Sequence, residues 1–574
     1  MDEFIFNESF DKTFVQMNDL GNSNENYVSS HKFNLFQQFF IIGLEPKLIY
    51  NINKIDLKSL PGKFLEPSVI SKYPNIALPY ICIPNKIVSS HCFPKGFVDI
   101  ITKEESGLKM KDGNFIFSLD NPGYEEKDNS LRTKKLYYTC YYFYESIEDY
   151  NIFIKLRETS KNENNLFNQN YFIKKIICIS SFQPLYKEAV KILRYLKKYI
   201  DYYSLKHMNG KIEIMKNNFI PIEKIIEGLI FNIPSLPRTK YEIHMSNETF
   251  SFDNNDNDKE KNKKEIIFKS LPVNKLPKSK IDISILMNFF NLEEILEIIK
   301  WIILEVPILF FCENINDLTY TIEGIISLIY PFEYPYPVIS ILPEENYSMI
   351  SIMKHFIFGI NYKFSKDLLK KKGINIQNLN MLVIVKIEKR FNDNLNFKER
   401  EKMNINNPII IYNSDKNKPI LKLNQINSYY TGNNKEKIEE SKIQNIALPS
   451  NQKEKAKKKF FERIEYKFSN IKKLSNKKEY NKIVCDELYE TIFNFFLSVL
   501  LHYQEFCFKL KKKENKNERV KEIFTINKIY EKDDIIEGKY IENKLDINDI
   551  FKINDFMNTI PQNDKLFYSV FLNT

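Results

Sequence analysis

The adjacent residues His91 and Cys92, in the stretch HCFPKG, are the pair of side chains best spaced for nucleophilic chemistry, in which an imidazole activates a thiol. The flanking residues predict a strand that ends in a Pro-Lys-Gly turn at residues 94–96. Successive residues of a strand point to opposite faces, so the imidazole and the thiol would not meet. The pattern therefore predicts a structural turn and not a catalytic pair.

The other cysteines and histidines show no metal-binding spacing. The seven cysteines include no CxxC, and the six histidines are dispersed singly, whereas metal ligands cluster. An acidic stretch from Asp253 resembles a calcium loop, but Asp258 and Lys264 stand where an EF-hand needs Gly and Glu. We therefore predict no metal site and no cofactor.

Motifs of covalent catalysis are also missing from the sequence. It contains no Gly-rich phosphate loop, HExxH or GxSxG, and it has only 14 glycines in 574 residues. The net charge of +10 is modest for this length, and arginine, which nucleic-acid readers favour, is scarce. These features disfavour most enzyme classes and nucleic-acid binding.

The sequence predicts a cytoplasmic protein. Its first residues are acidic where a secretory signal needs basic ones. No stretch of about 18 apolar residues is free of charge, the length that a membrane span requires. The cysteines lie in apolar runs, which is typical of reduced core residues.

Short β-branched and aromatic segments dominate the first part of the chain, after an N-terminal extension over 1–29. They predict an antiparallel sheet, and a helix follows Pro184, so residues 30–245 are expected to form an α+β lobe. The polar residues that follow predict a flexible linker over 246–280.

The second part of the chain predicts an α/β lobe over 281–388. Buried, non-alternating strands such as PILFFCE and LNMLVIVKIE alternate with apolar helices, which indicates a parallel sheet covered on both faces. We expect one continuous helix over ISILMNFFNLEEILEIIKWIILEV and a proline-rich aromatic turn in YPFEYPYP. Residues 389–446 predict a low-complexity insertion, and residues 447–574 are mainly helical. The basic helix at 457–474 either packs on the domain or contacts an anionic membrane.

The segment ILEIIKWIILEVPILFFCENINDLTYTIEGIISLIYPFEYPYPVISILPEE resembles the central part of DENN-domain proteins. Upstream, FFIIGLEPKLIYN, LYYTCYYFYE and ICISSFQPLYKEAVKILRYL resemble the N-terminal part of that family in order. Downstream, YETIFNFFLSVLLHYQEF and FKINDFMNTIPQNDKLFYSVFLNT resemble its last part. The resemblance implies a tripartite module: a longin-like antiparallel-sheet lobe, then a DENN α/β lobe with a helical tail.

The resemblance to this family implies a guanine-nucleotide exchange factor for a Rab-type small GTPase in membrane traffic. Exchange breaks no covalent bond, which agrees with the missing catalytic motifs. The implied binding surface is the groove between the two lobes. We predict Asn314, Asn316 and Asp317 as partner contacts, because loops after strand ends are where open α/β sheets meet ligands; ordinary polar loop residues are the alternative.

Two other functions remain open at the level of the sequence. One is a non-catalytic scaffold or effector that binds a GTPase without exchanging its nucleotide, since fold does not fix function. The other is a GTPase-activating protein, which needs an exposed arginine finger. Arg132 and Arg157 are the loop-borne candidates for that finger.

Overall fold

The structure is a computed structural model. It describes residues 34–44, 66–75, 78, 80–102, 111–121, 135–146, 171–208, 222–231, 241–245, 264–268, 281–330, 332–374, 376, 379, 381–389, 408–413, 449–470, 477–499, 524–525, 528–529, 553–561, 564–565 and 567–568.

The first sheet is antiparallel, as predicted, and the described residues form six of its strands. Its order is β2-β1-β6-β5-β4, and β3 pairs with the far end of β6. Side chains of successive strand residues alternate between two cores. The strands are β1 (Gln38–Gly43), β2 (Ser68–Tyr73), β3 (Ile100–Thr102), β4 (Gly113–Asp120), β5 (Lys135–Ser146) and β6 (Tyr171–Ser181).

Helices cover both faces of this sheet. Helix α1 (Asn85–Cys92) packs on the face that carries Phe40 and Cys178. Helices α2 (Tyr186–Met208) and α3 (Ile222–Phe231) pack on the other. The predicted antiparallel sheet followed by a helix is thus confirmed.

Two local predictions in this region were wrong. His91 and Cys92 lie at the end of helix α1 and not on a strand, because the residues after Pro84 form a helical turn with Val88 and Cys92 on its buried side. The predicted linker over 246–280 contains strand β8 (Lys264–Phe268), which pairs with β7 (Tyr241–Met245). Its Ile-Ile-Phe run provides the apolar residues that the surrounding polar sequence obscured.

The second sheet is mainly parallel, in the order β10-β11-β9-β12-β13. Only the edge strand β13 runs antiparallel to its neighbour β12. The strands are β9 (Ile308–Phe311), β10 (Val338–Ile339), β11 (Ile357–Ile360), β12 (Met381–Lys386) and β13 (Ile409–Asn413). The predicted parallel α/β sheet is confirmed, whereas β13 lies inside the stretch that was expected to be a low-complexity insertion.

The helix expected before β9 is broken into pieces. A 3₁₀ turn (Ile283–Ile285) and helix α4 (Leu286–Phe289) end at Phe290, and helix α5 (Leu292–Ile303) then begins. Asn291 caps α5 reciprocally with Glu294, since each side chain bonds the backbone N–H of the other residue. The apolar run concealed this boundary because both helices are buried.

Helix α6 (Ile315–Leu328), helix α7 (Met349–Ile352) and helix α8 (Lys366–Lys371) connect the parallel strands. A 3₁₀ turn (Glu344–Asn346) precedes α7. Together with α4 and α5 these helices cover the faces of the second sheet.

The C-terminal helices belong to the same core as the second sheet. They are α9 (Ser450–Asn470), α10 (Lys477–Val499) and α11 (Ile553–Thr559), and the short hairpin β14 (Phe524–Thr525) and β15 (Lys528–Ile529) lies between the last two. Phe460 of α9 is fully buried, and Lys457 pairs with Glu293 at 2.8 Å, so one side of the basic helix packs on the domain. No described helix is both long and apolar enough to cross a bilayer.

The aromatic turn after α6 packs on helix α10. Phe332 contacts Phe496 edge to face, with ring centroids 5.2 Å apart, and Tyr330 stacks on Phe493. Farther along, the Tyr336 hydroxyl donates to Glu305 at 2.8 Å. Of the three prolines predicted to shape this turn, Pro331 lies outside the described residues.

Candidate functional site

The predicted contacts lie at the carboxyl edge of the second sheet, where helix α6 begins directly after β9. Asn314 is exposed and is the N-cap of α6. Its Oδ1 accepts hydrogen bonds from the backbone N–H groups of Asn316 and Asp317, at 2.9 and 3.3 Å. The structure therefore brings the three predicted residues together in one helical turn and gives Asn314 a local structural role.

Asn316 and Asp317 are partly buried in this first turn. The Oδ1 atom of Asn316 is buried and has no hydrogen-bond partner among the described residues. Burial raises the pKa of the Asp317 carboxyl, and the positive charge of Lys389 opposes that shift. Lys389 follows β12, so the ends of two neighbouring strands contribute opposite charges here.

A second loop supports the loop after β9. The Nδ2 atom of Asn361, just after β11, donates to the carbonyl oxygens of Cys312 and Glu313 at 3.1 and 2.8 Å. These bonds connect the ends of β9 and β11. The surface of this edge is polar and of mixed charge, and its exposed residues are Glu313, Asn314, Lys363, Ser365, Asp367, Glu388 and Lys389.

The first sheet meets this edge through the start of β4. The Tyr320 hydroxyl of α6 donates to Asn114 Oδ1 at 3.0 Å. Tyr142 of β5 lies close enough to Asp317 for the carboxylate to affect it: burial raises the pKa of Tyr142, and the negative charges of Asp317 and Asp112 raise it further. The candidate residues thus lie at the rim of the contact between the two sheets.

Behind this rim the contact is closed. Ile116 of β4 is fully buried in the same core as helix α6, and its backbone N–H donates to Thr319 Oγ1 at 3.3 Å. No partner can enter between β4 and α6 without separating this core. A partner that uses these residues must therefore bind across the rim.

A buried carboxyl group lies deeper in the same contact. Glu323 of α6 accepts hydrogen bonds from the Ser118 hydroxyl at 3.2 Å and from the Tyr186 hydroxyl at 3.5 Å. Burial raises its pKa, whereas the charge of Lys135 and these hydrogen bonds lower it. Glu323 therefore joins β4, α2 and α6 through polar bonds inside an apolar layer.

The two sheets meet again near the end of α1. The backbone N–H of Glu344 donates to the Pro94 carbonyl at 2.8 Å. Lys95 lies over the Tyr362 ring, 4.9 Å from its centroid, and Lys372 lies over the same ring at 4.7 Å. The Glu344 carboxylate pairs with Lys372 at 2.8 Å. Sequence reasoning missed the contacts of Pro94 with Glu344 and of Lys95 with Tyr362, because no local pattern relates residues more than 200 positions apart.

The described residues at this edge provide no reactive nucleophile. Cys312 is buried, and burial raises the pKa of its thiol to about 12. The arrangement can bind a surface through hydrogen bonds and charges. Arg132 and Arg157, the candidate finger arginines, lie outside the described residues.

Comparison with known proteins agrees with the sequence resemblance. The family model of the DENN (AEX-3) domain matches residues 172–389, from β6 to the described residues just after β12. Two curated relatives, the DENN domain-containing protein 2D of Mus musculus and that of Homo sapiens, are each 27% identical over 89 residues. That match covers 16% of this chain and 19% of each relative, so the chain matches about a fifth of their length. The predicted resemblance is confirmed: residues 172–389 match the family model of the DENN (AEX-3) domain.

Proposed function

We propose that this chain is a guanine-nucleotide exchange factor for a Rab-type small GTPase and acts in the cytoplasm in membrane traffic. The observation that carries the proposal is the DENN domain match over residues 172–389. The candidate edge adds physical support, since it offers an exposed, mixed-charge surface without a nucleophile.

Exchange requires binding energy and no covalent chemistry. A small GTPase binds its nucleotide with sub-nanomolar affinity, which corresponds to a binding free energy of about −14 kcal/mol or a more negative value. An exchange factor accelerates release by binding the nucleotide-free switch conformation more tightly than the loaded one. By linkage, the factor and the nucleotide weaken each other's binding by the same ratio.

The proposed docking surface is the rim formed by the loop after β9 and the start of β4. Stable protein interfaces bury roughly 1,200–2,000 Å² in total, more than one loop provides. The partner is therefore expected to contact both sheets, with Asn316 and Asp317 near the middle of the interface. Because β4 and α6 are held together by buried contacts, this surface is preorganised, which reduces the entropy cost of binding.

The test is nucleotide release from a panel of Rab GTPases loaded with a fluorescent GDP analogue. The full chain should accelerate release from at least one of them. The double variant Asn316→Ala with Asp317→Asn should lower that acceleration about tenfold or more, as loss of contacts central to an interface does. Lys354→Ala is the matched control, since this exposed lysine precedes β11 at the opposite edge of the sheet.

Uniform failure to accelerate release, with protein that is folded by circular dichroism, would contradict exchange. A pull-down then separates the alternatives: an exchange factor retains the nucleotide-free GTPase, whereas an effector or scaffold retains the GTP-bound form. Single-turnover hydrolysis with Arg132→Ala and Arg157→Ala tests activation, for which a finger arginine would contribute about 10³-fold or more.

A further inference from the structure

Three cysteines meet in the core of the first sheet, away from the candidate edge. Cys92 ends helix α1, Cys140 lies on β5 and Cys178 lies on β6, and all three are fully buried. The Sγ atoms of Cys92 and Cys140 are 3.8 Å apart, and those of Cys140 and Cys178 are 3.0 Å apart. All three Sγ atoms lie within 4.8 Å of one another.

The topology, and not a sequence motif, assembles this cluster. Cys140 and Cys178 are direct cross-strand partners in the antiparallel pairing of β5 with β6. Their side chains share the face of the sheet that α1 covers, and Cys92 is the last residue of that helix. Successive cysteines of the cluster are 48 and 38 positions apart along the chain, so no CxxC spacing in the sequence indicates the cluster.

The surroundings of the cluster provide one positive charge and one hydroxyl group that lacks a partner. Lys174, four residues before Cys178 on β6, places its ammonium 4.6 Å from the centroid of the Tyr142 ring. Tyr138, two residues before Cys140 on β5, is fully buried, and its hydroxyl has no hydrogen-bond partner among the described residues. The thiols and this hydroxyl interact electrostatically.

Thiolate is the form of cysteine that binds metal ions.

We propose that Cys92, Cys140 and Cys178 form a binding site for a thiolate-preferring divalent ion, with Zn²⁺ as its occupant. Three thiolates around Zn²⁺ carry one net negative charge, and the Lys174 ammonium neutralises it. A buried site has to be close to neutral, because an uncompensated charge in an apolar core is costly. A monovalent soft ion such as Cu⁺ would leave one negative charge without compensation.

The distances from Cys140 to the other two sulfur atoms fit this occupant with a small adjustment, and Cys92 and Cys178 lie within 4.8 Å of each other. Zn–S bonds of about 2.3 Å at tetrahedral angles separate the sulfur atoms by about 3.8 Å. Cys92 and Cys140 already have this separation. Cys140 and Cys178, at 3.0 Å, must move apart by about 0.8 Å, which modest rotations of their side chains achieve. No fourth cysteine, histidine or carboxylate joins the cluster in the described part of the chain, so a water molecule beside the Tyr138 hydroxyl would complete the coordination.

The experiment measures zinc in the full chain, purified with a phosphine reductant and without chelator. We expect one zinc ion per chain by mass spectrometry of the metal. After extraction of zinc, Co²⁺ alone should produce a thiolate-to-cobalt charge-transfer band in the near ultraviolet. Cys92→Ala and Cys178→Ala should each lose the ion and the band. Cys312→Ala removes a buried cysteine next to the other sheet, and this variant should retain both the zinc ion and the cobalt band.

A second pair of variants tests the site without removing a ligand. Lys174→Met should weaken zinc binding about 10- to 100-fold in a chelator competition, the usual cost of losing a group that supports metal ligands. Lys175→Met is its matched control, since successive residues of a strand point to opposite faces and Lys175 pairs with Glu145 at 2.5 Å. These variants keep the proposal testable if a cysteine variant fails to fold.

Three results would overturn the proposal. The first is folded wild-type protein that binds neither zinc nor Co²⁺. The second is a Cys178→Ala variant that folds and binds zinc as tightly as the wild type. The third is protein that, when purified without reductant, contains a Cys140–Cys178 disulfide and that still binds no metal ion after this disulfide is reduced.

Discussion

Two glycines that lie on facing elements should respond to the same substitution with opposite signs. Gly359 of β11 has no room for a side chain: a Cβ atom there would lie 2.2 Å from the Ser340 carbonyl oxygen and 2.8 Å from Ile322 Cδ1. Gly324 lies inside helix α6, where a Cβ atom would find Ile283 Cγ2 at 3.5 Å, an ordinary contact. We therefore expect Gly359→Ala to destabilise the protein and Gly324→Ala to stabilise it.

The magnitudes follow from these contacts. Ser340 O is a backbone atom next to the paired strands β10 and β11, and the Gly359 carbonyl accepts from Leu342 N–H at 2.7 Å, so relief of the clash has to distort the sheet. Overpacking of this kind costs roughly 1–3 kcal/mol, and a rigid backbone contact places Gly359→Ala near the upper end, at about 3 kcal/mol. Replacing glycine by alanine in a helix interior stabilises by about 1 kcal/mol.

Urea unfolding followed by circular dichroism measures both variants. The free energy of unfolding of Gly359→Ala should fall by about 3 kcal/mol and that of Gly324→Ala should rise by about 1 kcal/mol. If Gly359→Ala matched the wild type within about 0.5 kcal/mol, or if both variants lost stability equally, the close packing of β11 against β10 and α6 would be refuted.

Three further predictions concern polar side chains of helices α5 and α6. Burial raises the pKa of Glu323, so the folded chain holds this proton more tightly than the unfolded chain; the resulting stability is present below the unfolded pKa and is lost as pH rises through the folded pKa. Wild type should therefore lose stability relative to Glu323→Gln as the pH rises from about 4 towards 8, and a difference in melting temperature that does not change with pH would contradict this. Asn291→Ala should cost about 1 kcal/mol by removing the reciprocal cap with Glu294, whereas Asn291→Ser should cost much less, as urea midpoints will show. Tyr320→Phe removes the bond to Asn114 and should cost about 1 kcal/mol; amide hydrogen exchange should increase at the start of β4, and unchanged exchange there would count against that contact.

Sequence patterns determined the fold class and the order of the elements. Alternation in the first part and continuous apolar strands in the second part predicted an antiparallel sheet and then a parallel one, and both are present. These predictions succeed because burial of one or both faces of a strand imposes a local pattern. Local boundaries were less certain. The break at Asn291 has no signal in the apolar pattern, because the buried helices on both sides of it are equally apolar.

For the candidate site, the sequence predicted where the residues lie along the chain but not which residues surround them. The sequence predicts that a strand ends just before Asn314, Asn316 and Asp317, because a short polar stretch there separates an apolar strand from an apolar helix. The sequence does not predict their position beside Tyr142 and Asn114 of the first sheet, since only the packing of β4 on α6 creates it.

The cysteines illustrate the limit most clearly. Their spacing in the sequence predicted separate core residues without a metal site. The stretch that contains His91 and Cys92 predicted the end of a strand. The pairing of β5 with β6 and the helix at 85–92 instead place Cys92, Cys140 and Cys178 together. Spacing in the sequence reports on neighbours within one helix or strand, whereas strand register and helix docking bring distant residues together, because only the assembled core decides which faces meet.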